Sequence, residues 1–213
     1  DGKDTLIGNK GNDVIDTGAG ENTVIWNLGD DLDTVTFSST DHLKFGEGIS
    51  FEDLTFYENG DDLVITVRND MSQGIVCHNY FYSDSNKPMD ILFANSSVFS
   101  LKTSGLTLRH GNWAANMHGT AFADVIYAGN ADTTIYGGDG DDILIGGTGN
   151  DVIEGGNGAD LIYGGKGNDT LNGGEGADTY VWNLGDGLDT VFASDLDKLQ
   201  FGEGISLQDL SFR

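Results

Sequence analysis

The sequence predicts an all-β protein assembled largely from stacked repeats, and three observations predict it. A nine-residue phrase recurs five times without a gap between Gly137 and Val181. The 213 residues include 33 glycines and one proline, a balance suited to repeated tight turns, because glycine takes positive φ at no steric cost. The stretch without the phrase still alternates polar and apolar residues in short runs between turn residues, as half-buried strands do.

The five phrases are GGDGDDILI, GGTGNDVIE, GGNGADLIY, GGKGNDTLN and GGEGADTYV, starting at Gly137, Gly146, Gly155, Gly164 and Gly173. Each reads glycine, glycine, any residue, glycine, any residue, aspartate, then three residues centred on a large apolar one. Three residues make a strand just long enough to set the central side chain in a core. Two less regular copies precede them: residues 119–127 keep Asp124 at the sixth position, and residues 128–136 place Thr133 there. The expected core is therefore Ile126, Ile135, Leu144, Ile153, Ile162, Leu171 and Tyr180.

A worn stretch of the same phrase opens the chain. Gly2 and Asp4 fall at positions four and six of one copy, and Gly8, Gly11 and Asp13 at positions one, four and six of the next. The phrase then decays, with Thr17 in place of the first glycine and Asn22 in place of the aspartate, ahead of the apolar run Val24-Ile25-Trp26.

Residues 27–117 carry strand signals at Thr34–Phe37, Leu43–Phe45, Leu54–Tyr57, Leu63–Val67 and Gly74–Phe81. The Asn59-Gly60 pair between the third and fourth of these predicts a hairpin. Pro88–Phe99 reads equally as strand or short helix. After the five phrases the residues of the opening stretch recur: Trp182-Asn183-Leu184-Gly185-Asp186 repeats Trp26-Asn27-Leu28-Gly29-Asp30, and residues 1–57 match residues 157–213 at 31 of 57 ungapped positions, an offset of 156. Four segments follow: the end of a first repeat array at 1–26, a β-rich flanking or capping segment at 27–117, the main array at 118–182, and the start of a second flanking segment at 183–213.

Composition limits the function. Thirty-five acidic against ten basic residues give a net charge of −25, which excludes nucleic acid or an anionic membrane as an electrostatic partner and calls for cations. Cys77 is the only cysteine, so no internal disulfide can form; it reads as a small buried strand residue. His42, His78, His110 and His118 are scattered at no zinc-ligand spacing. With neither a His-Glu-x-x-His nor a Gly-x-Ser-x-Gly pattern, the chain is not expected to be an enzyme; Glu47 and Glu203 recur through the duplication, so a shared structural role accounts for both.

The five contiguous phrases resemble the glycine-rich nonapeptide repeat of the RTX family of secreted bacterial proteins. Phe45-Gly46-Glu47-Gly48-Ile49, Asp53-Leu54-Thr55-Phe56 and Asn59–Ile65 resemble the related segment that follows such arrays; where that segment commonly has a Trp-Phe pair, this chain has Asn79-Tyr80-Phe81-Tyr82. The resemblance implies a parallel β-roll, a β-helix of stacked nonapeptides with a flanking β-rich cap to which Trp26 and Trp182 contribute. Two nonapeptides would make one coil, so residues 18 apart would stack. It also implies Ca²⁺, in several copies, as the cofactor.

Side-chain ligands would then be Asp124, Asp142, Asp151, Asp160, Asp169 and Asp178, with Asp4 and Asp13 in the worn array. Backbone carbonyl ligands would be Gly137, Asp139, Gly140, Gly146, Thr148, Gly149, Gly155, Asn157, Gly158, Gly164, Lys166 and Gly167. The pairs 142/160, 160/178 and 151/169 are expected to make the best sites, 124/142 a further one, and 133/151 lacks a carboxylate. Calcium suits such loops because it takes six to eight oxygens in flexible geometry, whereas magnesium demands a near-octahedral shell.

The implied role is a calcium-driven folding module of a larger exoprotein such as a toxin, secreted or cell-surface, extracellular and bacterial, with the type I secretion machinery as a partner. No signal-peptide pattern opens the sequence, and an export signal would lie outside it. The alternatives are a calcium-rigidified spacer or binding module of a repetitive adhesin, with a host-cell or surface ligand, and an accessory domain of a secreted enzyme. Core packing is the stronger reading for aromatics at strand spacing; if exposed, Tyr80, Phe81 and Tyr82 would be the candidate ligand contacts of the flanking segment.

Overall fold

The computed structural model describes residues 2–81, 90–101, 104–110 and 116–210. These residues form strands joined by turns, with two 3-10 turns and no α-helix among them. The chain divides into two compact units, Asp1–Ser104 and Gly105–Arg213, and both are parallel β-solenoids.

The second unit has two sheets. One contains β11 (Thr107–His110), β13 (Val125–Gly129), β15 (Ile143–Thr148), β17 (Leu161–Lys166), β19 (Thr179–Trp182) and β21 (Lys198–Phe201) in that order. The other contains β12 (Asn116–His118), β14 (Thr134–Asp139), β16 (Val152–Asn157), β18 (Thr170–Glu175) and β20 (Thr190–Phe192). Two successive phrases thus make one coil, the first contributing a strand to one sheet and the second to the other. Neighbours pair in parallel with partners 18 residues apart, as in Leu144↔Ile162 and Ile153↔Leu171. The last steps lengthen, to 20 residues at Thr170↔Thr190 and 19 at Thr179↔Lys198.

Because side chains alternate across a strand, each three-residue run aims its middle side chain inward. Ile126, Ile135, Leu144, Ile153, Ile162, Leu171 and Tyr180 are all buried, in agreement with the sequence. Each such burial contributes about 1.5–3 kcal/mol. Tyr180 brings a hydroxyl into this apolar column and satisfies it, accepting from Gly173 N–H at 2.6 Å and donating to the Phe192 carbonyl at 2.9 Å.

The first unit follows the same plan. One sheet runs β1 (Thr5–Ile7), β3 (Thr23–Trp26), β5 (His42–Phe45), β9 (Asp90–Phe93) and β10 (Val98–Phe99). The other runs β2 (Val14–Asp16), β4 (Leu32–Thr36), β8 (Asp70–Cys77), β7 (Asp62–Val67) and β6 (Leu54–Asn59). Residues beyond the worn array therefore carry the parallel stack onward: β4 pairs with β8 through Val35↔Cys77, and β5 with β9 through Leu43↔Ile91. Trp26 lies within this stack, fully buried and edge-on to Phe45 of the next coil at 5.7 Å.

β6 and β7 form the antiparallel hairpin predicted at Asn59-Gly60, closing at Asn59↔Asp62 with Gly60 at φ 62°. The strand expected over Gly74–Phe81 starts earlier and ends at Cys77. Within Pro88–Phe99 the structure resolves the ambiguity in favour of strand, at β9 and β10; Pro88 and Met89 lie outside the described residues. Tyr80 is buried, with Phe81 edge-on at 5.0 Å, so Tyr80 belongs to the core; Tyr82 lies outside the described residues. Cys77 is fully buried, and desolvation pushes its thiol well above the ordinary range, which keeps it protonated.

Candidate metal centre

The aspartates at position six stack into two columns in the second unit. Each uses Oδ1 to reach back one coil: Asp124 N–H donates to Asp142 Oδ1 at 2.7 Å, Asp142 N–H to Asp160 Oδ1 at 2.9 Å, and Asp160 N–H to Asp178 Oδ1 at 2.9 Å. In the other column Thr133 N–H donates to Asp151 Oδ1 and Asp151 N–H to Asp169 Oδ1, both at 2.8 Å.

The other carboxylate oxygen is treated differently. Oδ2 of Asp142, Asp160, Asp169 and Asp178 is buried with no hydrogen-bond donor, as is Oδ2 of Asp13 in the first unit. Each lies over the first glycine of its own phrase. A Cβ built on Gly155 would stand 2.2 Å from Asp160 Oδ2 and 2.4 Å from the Gly173 carbonyl oxygen; one on Gly137 would stand 2.4 Å from both Asp142 Oδ2 and the Gly155 carbonyl oxygen. Gly146 faces Asp151 Oδ2 and the Gly164 carbonyl oxygen, each at 2.5 Å. At each of these points two acceptors converge on space that only glycine leaves open.

The remaining glycines make the coils stack closely. Gly158 has φ +140°, and a Cβ there would come within 1.9 Å of the Gly140 carbonyl oxygen. Among the third-position carbonyls named from sequence, that of Asn157 accepts from Gly140 N–H at 2.8 Å and that of Lys166 from Gly149 N–H at 2.9 Å. Both keep one lone pair for another partner. Asp139 and Thr148 pair in register with Asn157 and Lys166 of the next coil.

Burial pushes the Asp142 carboxyl up to about 7, opposed by the Asp124 N–H and reinforced by the carboxylates of Asp124 and Asp160. Burial likewise raises Asp160 to about 6, against the Asp142 N–H and with the Asp178 carboxylate adding to it. Asp169 and Asp178 are raised for the same first reason. Asp124, also raised by burial, stands apart because its Oδ2 accepts from Thr120 N–H at 2.6 Å and Thr120 Oγ1 at 2.9 Å. The first-column site nearest the start of the array thus has its acceptor already engaged.

The columns extend past the residues read from sequence. Asp169 N–H donates to Asp189 Oδ1 and Asp178 N–H to Asp197 Oδ1, both at 3.0 Å. In the first unit Asp13 N–H donates to Asp33 Oδ1 at 2.9 Å, Asp4 N–H to Asn22 Oδ1 at 3.1 Å, and Asn22 N–H to Asp41 Oδ1 at 2.8 Å. A Cβ on Gly8 would meet Asp13 Oδ2 at 2.8 Å and Asp33 Oδ2 at 3.1 Å, so two carboxylates share that point. Asp4 itself is exposed. Sequence reasoning missed Asp33, Asp41, Asp189 and Asp197, although Asp33/Asp189 and Asp41/Asp197 are partners at the 156-residue offset and each is followed by a three-residue run with an apolar centre.

Where the phrase has decayed, hydrogen bonds satisfy the carboxylate. Asp41 Oδ2 accepts from Thr17 Oγ1 at 2.5 Å and Ser38 N–H at 2.6 Å, and Oδ1 also accepts from Asn22 Nδ2 at 3.0 Å. Burial raises this carboxyl, but these donors outweigh it and hold it below the ordinary range.

A buried carboxylate oxygen beside a carbonyl oxygen, with no hydrogen-bond donor supplied to it, is an arrangement for a hard cation. Among the described residues no three His, Cys, Asp or Glu side chains gather around one point, so carbonyls must complete any such shell. His78 Nδ1 lies 2.9 Å from Asp62 Oδ1, and His118 stacks on Tyr136 at 5.0 Å. The family model for the RTX calcium-binding nonapeptide repeat (4 copies) matches residues 1–33, 118–153 and 145–180. No curated protein matches the chain.

Proposed function

Given that residues 1–33 and 118–180 make this chain a member of the RTX calcium-binding repeat family with a β-roll fold, we propose that it is a module whose folding is driven by extracellular calcium. The single observation that carries this reading is the series of buried, donorless Oδ2 atoms of Asp142, Asp160, Asp169 and Asp178 set over glycines. Calcium would be held by these carboxylates and by that of Asp151, with turn carbonyls such as Gly155, Gly164 and Gly173 completing the shell. Asp13, joined by Asp33, would do the same in the first unit.

Ions bound only by the folded form couple folding to calcium concentration. Without them a net charge of −25 favours an expanded chain. Inside a bacterium, where free calcium is low, such a chain stays unfolded and can thread an export channel of the type I kind. Outside, where modules of this class bind with Kd of roughly 10⁻⁴ to 10⁻³ M, it folds and serves a secreted or surface protein such as a toxin. Circular dichroism tests this: the chain should be largely coil in chelator and β-rich in millimolar calcium, and an unchanged spectrum would overturn the reading.

The 156-residue duplication favours a second reading, a calcium-stiffened spacer or binding module in a repetitive adhesin. Cell-adhesion and glycan-array measurements on the calcium-loaded chain separate the two, since only the adhesin reading expects a surface ligand.

A further inference from the structure

Asp124 shares the geometry of the regular turns but not their chemistry. Gly119 faces Asp124 Oδ2 and the Gly137 carbonyl oxygen, just as Gly137 faces Asp142 Oδ2 and the Gly155 carbonyl oxygen. At Asp142 that carboxylate oxygen is buried and donorless. At Asp124, itself 1% exposed, it accepts two donors from one residue, Thr120 N–H at 2.6 Å and Thr120 Oγ1 at 2.9 Å. The hydroxyl is engaged on its other side as well, because Thr120 Oγ1 accepts from Phe122 N–H at 3.2 Å. Asp124 Oδ1 is taken by Leu106 N–H of the preceding coil. A carboxylate that already accepts three donors has its desolvation offset within the protein, and a cation there would have to displace them.

The residue in the second slot makes the difference. Gly138 and Gly156 hold φ of +108° and +113°, a region that β-branched residues avoid, and Thr120 does not share it. With the chain turned the other way, its N–H and its hydroxyl both meet the aspartate four residues on. The second column starts alike: Thr133 stands in the aspartate slot, and its hydroxyl donates to the Ala131 carbonyl at 2.8 Å. In the first unit Thr17, whose counterpart 156 residues on is Gly173, also donates its hydroxyl to a buried carboxylate, Asp41 Oδ2, at 2.5 Å.

We propose, on the calcium reading of the regular coils, that Thr120 bars calcium from the Asp124 turn, its hydroxyl and amide doing there what an ion does at Asp142 and Asp160. The main array thus opens on a turn that needs no calcium to close, and its first-column ions begin at Asp142. Thr120 is a specificity-determining residue in this sense: it sets which coils take the ion.

Thr120→Gly combined with Phe122→Gly makes the turn Gly-Gly-Ala-Gly-Ala-Asp, one residue away from the phrase at Gly155. Calorimetric titration of this double variant should count about one calcium ion more than the unaltered chain. Phe122→Gly alone, which leaves the hydroxyl, should add none, and Asp124→Asn placed on the double variant should remove the added ion. An unchanged count in the double variant, with its β circular dichroism retained, would overturn the proposal, as would a gain from Phe122→Gly alone. Should the double variant not fold, calcium-loaded crystals of the unaltered chain decide by anomalous scattering. Ions are expected over Gly137 and Gly155 and not over Gly119, and an ion over Gly119 overturns the proposal. Ions at none of the three positions would sink the calcium reading itself, and this proposal with it.

Discussion

Asp160 Oδ1 accepts the backbone N–H of Asp142 at 2.9 Å, while Asp160 Oδ2, buried and without a donor, faces the space above Gly155. One oxygen ties coil to coil and the other is left for a cation. Asp160→Asn keeps an oxygen for the Asp142 N–H and removes the charge. It should lower the calcium stoichiometry by one or two ions and raise the calcium midpoint of folding several-fold, read by calorimetric titration and circular dichroism. Asp195→Asn, on an exposed residue, should leave both unchanged.

Gly155→Ala and Gly185→Ala separate space from backbone conformation. The first puts a methyl 2.2 Å from Asp160 Oδ2 and should cost about 2–4 kcal/mol in calcium while weakening ion binding. The second meets nothing within 4 Å but sits at φ +99°, so it should cost about 1–2 kcal/mol and leave calcium binding intact. Denaturant midpoints with and without calcium distinguish them.

The decayed coil offers a substitution in the opposite direction. Thr17→Ala removes the hydroxyl that donates to Asp41 and should cost about 1–3 kcal/mol. Thr17→Gly combined with Asn22→Asp restores the phrase as it stands at Gly173 and Asp178. That double variant should lose stability in chelator and gain bound calcium, seen as a higher stoichiometry by titration.

Without calcium, acid should stabilise the fold. The folded carboxyls of Asp142 and Asp160 lie at about 7 and about 6, above their ordinary value of 3.8, so between pH 4 and 7 the folded state holds more protons than the unfolded one. Its stability is therefore fullest below about pH 4 and is lost as pH rises through those values. Asp41 works the other way, but its lowered pKa places its effect below that window. With calcium bound the slope should reverse, because protons then compete with the ion. Thermal melts across pH 4–7 in chelator and in calcium check both signs.

The contiguous array was legible in the sequence because its period never slips: the inward column from Ile126 to Tyr180 and the hydrogen-bonded aspartates from Asp142 to Asp178 both follow from counting. Asp33, Asp41, Asp189 and Asp197 were not, since coils of 19 and 20 residues at Thr23↔His42 and Val14↔Thr34 step off a fixed nine-residue count. Parallel pairing of β4 with β8 was hidden for a related reason. The β6–β7 hairpin inserts between them, so Leu32 pairs with Gly74, and local alternation predicts strands without predicting partners so distant. Asp124 shows the remaining limit: Thr120, in the slot of the second glycine, occupies its Oδ2, a contact that position-six counting does not register.

The 18-residue register of the second unit, as at Leu144↔Ile162, also has a mechanical meaning. Hydrogen bonds between parallel strands of successive coils run along the stacking axis, so a pull on the two ends of that stack loads the coils in series. They separate singly, and each 18-residue coil releases roughly 60 Å of chain. Such a stack is expected to lengthen under load coil by coil, in near-equal steps that grow at the 19- and 20-residue coils of its far end.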